Sequence, residues 1–341
     1  MFAFNFLSKS IFKKDPVIVL PYGGFISNTR IVAHARILED EGIEHSENDG
    51  FFKNLYNSYK RFETDEIENA KVIVSWGDEE RVLRSDHEGY ILIDEKHQMD
   101  IEDSDVLWFP ITYRLIVKDE EIYSVTDELM RPCRQSSFGI ISDLDDTVIQ
   151  TGVSSTLKWR LIVNSFFKHS SQRIPLEGAD EFYQLLAEGA DGERENPFFY
   201  LSNSPWNLYE YLDSFLDQYD FPKGSLLLRD IGISNKKKPS FLEENKFVRI
   251  SQILSMYPKR SFILIGDAAD IDAEIYTEVA RQFPEQVAAI YIRVIEHKRK
   301  MRKLTQFIKE TTDVDIVLIE NSEEGIEHAK KHGFIYTQNS D

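Results

Sequence analysis

Gly139-Ile140-Ile141-Ser142-Asp143-Leu144-Asp145-Asp146-Thr147 is the stretch on which the fold of this chain turns. A short apolar run with two isoleucines predicts a buried strand, and the chain then opens into Asp143, Asp145 and Asp146. Carboxylates crowded at the mouth of an apolar strand repel one another unless a cation sits among them. In a pure strand residues i and i+2 share a face, so Asp143 and Asp145 can stay close to one bound group as the chain leaves the sheet. An acidic turn that caps a helix, with Asp146 or Thr147 as N-cap, carries the same string. The decision therefore rests on what stands elsewhere.

After Cys133, apolar runs at 198–201, 225–228, 262–265, 288–292 and 316–319 alternate with helical patterns at 179–186, 208–215, 246–256, 272–283 and 322–331. Buried strands between helices predict βαβ units and a parallel sheet covered on both faces. Residues 133–341 are thus expected to form a doubly wound α/β domain, in which ligands bind at the carboxyl ends of the strands.

Three further clusters fall where such a sheet presents its strand ends. Leu201-Ser202-Asn203-Ser204-Pro205-Trp206 follows an apolar run; Ser202 and nearby amides can hold a phosphate oxygen, and Ser204-Pro205 is also an ordinary helix start. Gly266-Asp267 follows Phe262-Ile263-Leu264-Ile265, which places Asp267 on its strand as Asp143 is on its own, fit to complete a magnesium site of oxygen ligands. Asp272 can bind the metal through water or orient Lys246; as a helix N-cap it would do neither. Lys246, opening the helix before that strand, is the candidate cation for holding a phosphate and an aspartate together. A phosphate-transfer site needs a nucleophile, a proton donor and a hard cation, and Asp143 with Asp145 can supply the first two and ligate the third.

These pieces, in this order, resemble the haloacid dehalogenase (HAD) superfamily, and within it the catalytic domain of the actin-patch-associated phosphatidate phosphatases and their bacterial relatives. The residues that carry the likeness are Ile141 through Ile149 with Thr151-Gly152-Val153, Ser202 through Trp206, Lys246, Asp267 with Asp272, Glu274, Ile275 and Tyr276, and Ile290 through Arg293. The resemblance implies a HAD-like Rossmannoid fold and a phosphatase that forms an aspartyl phosphate. Asp143 is then the nucleophile, Asp145 the general acid and base, and Lys246 the stabilising lysine. Ser202, with Asn203 and Thr147, takes the phosphate. Magnesium would rest on Asp143, the Asp145 carbonyl and Asp267, with Asp272 behind them. Ala268-Ala269, Asn245 and Asp270 depart from the family's usual residues and leave substrate preference open.

Residues 15–132 read differently. Strand-like runs at 17–20, 31–38, 72–74, 82–83, 90–93 and 111–117, with turns expected at Gly23-Gly24, Gly77-Asp78 and Glu88-Gly89, predict a β-sandwich-like domain. The stretch 43–62 is either a helix carrying Phe51, Phe52, Leu55 and Tyr56 or a long insertion. Residues 1–14 interleave phenylalanines with Lys9, Lys13 and Lys14, as an interfacial anchor or a packed or frayed segment would.

The composition narrows the partners. A chain of 341 residues, 42% hydrophobic, buries a large core, and a net charge of −19 disfavours nonspecific attraction to nucleic acid or to an anionic membrane surface. The single cysteine excludes an internal disulfide and fits a cytoplasmic protein, and the eight histidines show no ligand spacing. Nothing approaches the length of a membrane span. A lipid substrate with peripheral membrane contact is suggested by residues 157–169, where Trp159, Ile162, Val163 and Phe166 alternate with Lys158, Arg160 and Lys168. Basic runs at Lys236-Lys237-Lys238 and 297–303 add to it. Core packing of the first and solvation of the others are the competing readings. The expectation is a magnesium-dependent phosphatase acting on a phosphatidate-type lipid; a soluble phosphomonoester and a non-catalytic binding module are the alternatives.

Overall fold

The computed structural model describes residues 16–39, 66–101, 104–144, 177–192, 196–229, 245–268, 271–295, 297–311 and 313–336. The segments 1–14, 43–62 and 157–169 and the run Lys236-Lys237-Lys238 lie outside them, as do Asp145, Asp146, Thr147 and Asp270.

The first part of the chain is all strand: β1 (Val17–Ile26), β2 (Arg30–Glu39), β3 (Lys71–Trp76), β4 (Glu79–Arg84), β5 (Tyr90–Lys96), β6 (Trp108–Val117) and β7 (Glu120–Met130). The expected sandwich calls for two separate sheets. Here hydrogen bonding links the strands into one seven-stranded sheet, ordered β4-β3-β6-β7-β1-β2-β5. Two antiparallel sets, β4-β3-β6-β7 and β1-β2-β5, are joined by a single parallel pair, Phe25 with Met130. Alternation along the strands sends Val72, Val74, Trp76, Ile111, Tyr113 and Leu115 from one set into the same core as Ile31, Ala33, Ile37, Ile91 and Ile93 from the other.

Gly77-Asp78 and Glu88-Gly89 turn the chain as expected, but Gly23-Gly24 does not. Those glycines sit inside β1, where the pairing with β2 shifts register between Pro21 and Gly24. Their φ angles of 64° and 152° suit a bulge that other residues rarely adopt, so the strand kinks and continues. Strand β7 was not legible as a strand, because its exposed face is so rich in acids that little apolar run remains.

From Gly139 onward the chain is α/β. Strands β8 (Gly139–Asp143), β9 (Phe198–Pro205), β10 (Gly224–Arg229), β11 (Phe262–Asp267), β12 (Val287–Arg293) and β13 (Val317–Ile319) form a six-stranded sheet ordered β10-β9-β8-β11-β12-β13. Every neighbouring pair is parallel. The chain builds outward from β8 to β9 and β10, then crosses to the other side of β8 for β11. Such a reversal leaves a crevice at the carboxyl ends of the two strands it separates, here β8 and β11.

Helices α1 (Ala179–Glu188), α2 (Tyr209–Gln218), α3 (Asn245–Met256), α4 (Asp272–Gln282), α5 (Lys298–Glu310) and α6 (Ser322–Lys331) cover the sheet. Alternate strand residues divide between two cores. Ile140, Phe198, Tyr200 and Ile263 pack with α1, α2 and α6, while Ile141, Phe199, Leu264 and Ile292 pack with α3, α4 and α5. Both faces of the sheet are therefore covered, which is why its strands read as unbroken apolar runs. Helix α2 begins later than expected: β9 runs on to Pro205, and a single 3-10 turn at Trp206–Leu208 precedes it.

The two sheets meet around Trp206, which stacks on Tyr22 (centroids 5.5 Å apart) and on His34 (4.3 Å). Tyr257 Oη donates to the Ile26 carbonyl (3.0 Å) and Tyr90 Oη to Asn207 Oδ1 (2.8 Å), across the same junction.

Candidate active site

Asp143 is the last residue of β8, and Asp267 the last of the adjacent strand β11. Their ladder pairs Ile265 with Ser142, one residue before Asp143 and two before Asp267. On the other side of β8, Asp143 is level with Leu201, so Ser202 stands one residue beyond it. The sheet thus brings Asp143, Ser202 and Asp267 to one edge, at the crevice where the chain reverses direction.

Lys246 reaches this edge from the first turn of α3. Its Nζ lies 2.9 Å from Asp143 Oδ1 and also contacts Asp272 Oδ1, in the first turn of α4. The second Asp272 oxygen accepts the Asp267 N–H at 3.2 Å. Asp272 is not the N-cap, a position held by Ile271. It is a fully buried link that ties the lysine to the end of β11. All four groups are out of solvent: Asp143 and Asp267 are each 2% exposed, Asp272 0% and Lys246 7%.

Ser202 is buried, and its Oγ accepts the Ser204 N–H at 2.9 Å, which curls the chain at the end of β9. Asn203 points outward to solvent. Trp206, the last residue of the same motif, belongs to the junction with the first sheet rather than to the site edge. Asp145 and Thr147, expected as proton carrier and phosphate ligand, lie outside the described residues.

The donor set suits a hard divalent cation. Three buried carboxylates, two of them in contact with the one buried ammonium, carry an excess of negative charge that a low-dielectric pocket tolerates poorly without a further cation. Among the described residues no three ligand side chains close around one point.

Several contributors had been given no role by the sequence. Ser142 Oγ shares a 2.7 Å hydrogen bond with Tyr183 Oη from α1, bracing the strand behind Asp143, and burial pushes the Tyr183 phenol above its usual range. Arg293, which ends β12 level with Asp267, brings a half-buried second cation; burial lowers its pKa, with Tyr183 opposing. A charged residue closing the apolar run Ile290-Tyr291-Ile292 was the available signal. Gly266 owes its identity to crowding: a methyl there would collide with Asp272 Oδ2 and lie 2.8 Å from Tyr276 Cε2.

Comparison with known proteins bears on this edge directly. Residues 138–294 match the family model described as the phosphatidate phosphatase APP1 catalytic domain. That stretch holds Asp143, Ser202, Lys246, Asp267, Asp272 and Arg293, and the resemblance read from the motifs is borne out across it. The chain is 36% identical over 156 residues to phosphatidate phosphatase APP1 of Saccharomyces cerevisiae, covering 46% of this chain and 25% of the yeast protein. It is 24% identical over 237 residues to an uncharacterized protein of Schizosaccharomyces pombe, covering 69% of this chain and 37% of that one. The chain therefore spans only about a quarter to two fifths of these curated relatives. Among solved structures, a β-glucuronidase from Ruminococcus gnavus in complex with uronic deoxynojirimycin aligns over 89% of this chain and 52% of its own, with 8% identity and a TM-score of 0.24. That likeness is too low to bear on fold or function.

Proposed function

We propose that the APP1-like stretch is a magnesium-dependent phosphatase of the HAD type that removes phosphate from a phosphatidate-type lipid, leaving diacylglycerol. The observation that carries the reading is Asp143: a buried carboxylate at the carboxyl end of the central strand, held by the ammonium of a buried lysine, within a segment that matches a phosphatidate phosphatase catalytic domain.

In this reading an Asp143 oxygen attacks phosphorus in line and forms an aspartyl phosphate, while the P–O bond to the lipid breaks. Asp145 gives its proton to the departing alkoxide, then takes one from the water that hydrolyses the intermediate, returning Asp143 and free phosphate. Lys246 fixes the attacking carboxylate and offsets charge on the phosphoryl oxygens. Its own position is set by Asp272. Ser202 and the amides beyond it receive a phosphoryl oxygen, with Asn203 and Thr147 as further phosphate ligands. Magnesium would be held by Asp143, Asp267 and the Asp145 carbonyl, with Asp272 behind them, and would supply charge neutralisation at the phosphate.

The lipid as substrate rests on the yeast relative, a phosphatidate phosphatase. No helix among the described residues is long and apolar enough to cross a membrane. A lipid substrate would be met at a membrane surface, by peripheral contact.

The test is phosphate release from phosphatidate, lysophosphatidate and soluble phosphomonoesters by wild type and Asp143→Asn, with magnesium and with chelator. Wild type should hydrolyse phosphatidate only with the metal, and Asp143→Asn should be inactive at an unchanged unfolding midpoint. Substantial activity in that variant sinks the nucleophile assignment; activity confined to soluble esters sinks the lipid substrate.

A further inference from the structure

Helix α5 runs against the charge pattern that favours a helix. Its sequence, Lys-Arg-Lys-Met-Arg-Lys-Leu-Thr-Gln-Phe-Ile-Lys-Glu, places cations throughout the first turn and no acid there. Cations at that end oppose the helix dipole. The pairs Lys298 with Arg302 and Arg299 with Lys303 are spaced i to i+4, where like charges repel. By contrast α1, α4 and α6 all carry acids in their first turns.

Packing does not account for the pattern. Leu304 is buried and Met301, Phe307 and Ile308 pack on the core shared with α3 and α4, which fixes one side of the helix. The opposite side presents Lys298, Arg299, Arg302, Lys303 and Lys309, all exposed. Among the described residues none of these five makes an ion pair. In a chain of net charge −19, this is a concentrated patch of the other sign.

Its place is equally specific. Strand β12 ends at Arg293, level with Asp267, and the Val294 N–H still holds the sheet edge by donating to the Ile319 carbonyl (2.9 Å). Lys298 follows four residues later, a span of at most about 14 Å. His297 caps the helix there, accepting the Lys300 N–H at 3.3 Å. The basic face therefore begins at the same edge as the candidate active site and runs about 16 Å along the helix.

We propose that the exposed face of α5 docks the protein on an anionic phospholipid surface, beside the edge that carries Asp143. The choice of occupant rests on the lipid phosphomonoester reading above. A planar membrane needs only one cationic face, whereas the overall negative charge repels a nucleic acid that would wrap further around the molecule.

The experiment is cosedimentation of the full chain with phosphatidylcholine vesicles, alone or doped with phosphatidylserine, a lipid with no phosphomonoester for the active site to grip. Wild type should bind the doped vesicles and not the neutral ones, and added salt should release it. Neutralising Lys298, Arg302 and Lys303 to glutamine should weaken binding about 5-fold per cation, on the order of 100-fold together. Turnover of a soluble aryl phosphate should be unchanged, which with an unchanged unfolding midpoint shows the variant to be folded. Wild-type binding that ignores lipid charge and salt, a triple variant that binds like wild type, or tighter binding to an oligonucleotide than to the vesicles overturns the proposal. Monomeric short-chain phosphatidate separates the two readings. Its turnover without vesicle binding sinks the docking face and leaves the activity standing; vesicle binding without turnover of any phosphomonoester does the reverse.

Discussion

Replacing Gly266 by alanine changes one hydrogen to a methyl group, yet it should disable the site through a residue that never meets the substrate. Gly266 has an ordinary negative or extended φ, so alanine introduces no backbone strain there. The effect is steric. The new Cβ would lie 2.8 Å from Tyr276 Cε2 and 2.9 Å from the Asp272 Cβ, besides striking Asp272 Oδ2. Carbon atoms settle at about 3.5–4.0 Å, so Asp272 and Tyr276 must each retreat by at least roughly half an ångström. Tyr276 is tied by its hydroxyl to the Ile265 carbonyl at 3.0 Å, and Asp272 is tied to Lys246 and to the Asp267 N–H, so the methyl must disturb the contacts that hold Lys246.

Asp272 is the partner of Lys246, and Lys246 is the partner of Asp143. A shift of that size, passed to Asp143, the nucleophile proposed above, should lower turnover by about 10- to 100-fold, since a 1 Å misplacement can cost about 100-fold. Overpacking should also lower stability by about 1–3 kcal/mol. The assay is magnesium-dependent release from an aryl phosphate, read beside the thermal midpoint. A Gly266→Ala enzyme with wild-type kcat and midpoint would refute the chain of contacts from Gly266 to Asp143.

Other consequences follow from the same contacts. Lys246→Met should destabilise the protein by about 3–5 kcal/mol, because it strands buried carboxylates without their cation. Adding Asp272→Asn should recover part of that loss, and additive denaturant midpoints would contradict the coupling. Stability should also depend on His34, whose pKa burial lowers to about 3 from an ordinary 6.5, with Arg249 lowering it further and Asp94 opposing. A folded pKa below the unfolded one means that the unfolded chain protonates first. The neutral ring's contribution is therefore complete above pH 6.5 and is lost as pH falls toward 3, by about 2 kcal/mol at about pH 5. His34→Phe keeps a ring against Trp206 and should flatten that part of the pH–stability profile; parallel profiles would show that His34 does not titrate across folding.

Much of the fold was legible because its strands are buried on both faces. Ile263-Leu264-Ile265 and Phe198-Phe199-Tyr200 are unbroken apolar runs, and the aspartates and serine that follow them mark the carboxyl edge without any alignment. Strand β7 and helix α5 were not legible. One side of each is so heavily charged that the apolar periodicity on the other is diluted, and only packing against β6 and the α3–α4 core reveals them.

The order of the candidate residues along the chain, and their position after strands, was a property of the sequence alone. So was the choice of Asp143 and Asp267 as a pair, because strand ends in a parallel sheet converge whatever connects them. Which oxygen of Asp272 faces Lys246, why residue 266 has no side chain, and that Trp206 joins the two sheets are decided only by tertiary structure. Those are contacts between residues far apart in the chain, set by sheet register and by the space left between helices, and no local pattern encodes them. For the Asp143 stretch itself, local chemistry determined that a charged cluster ends the strand, and long-range packing determined that a buried lysine meets it.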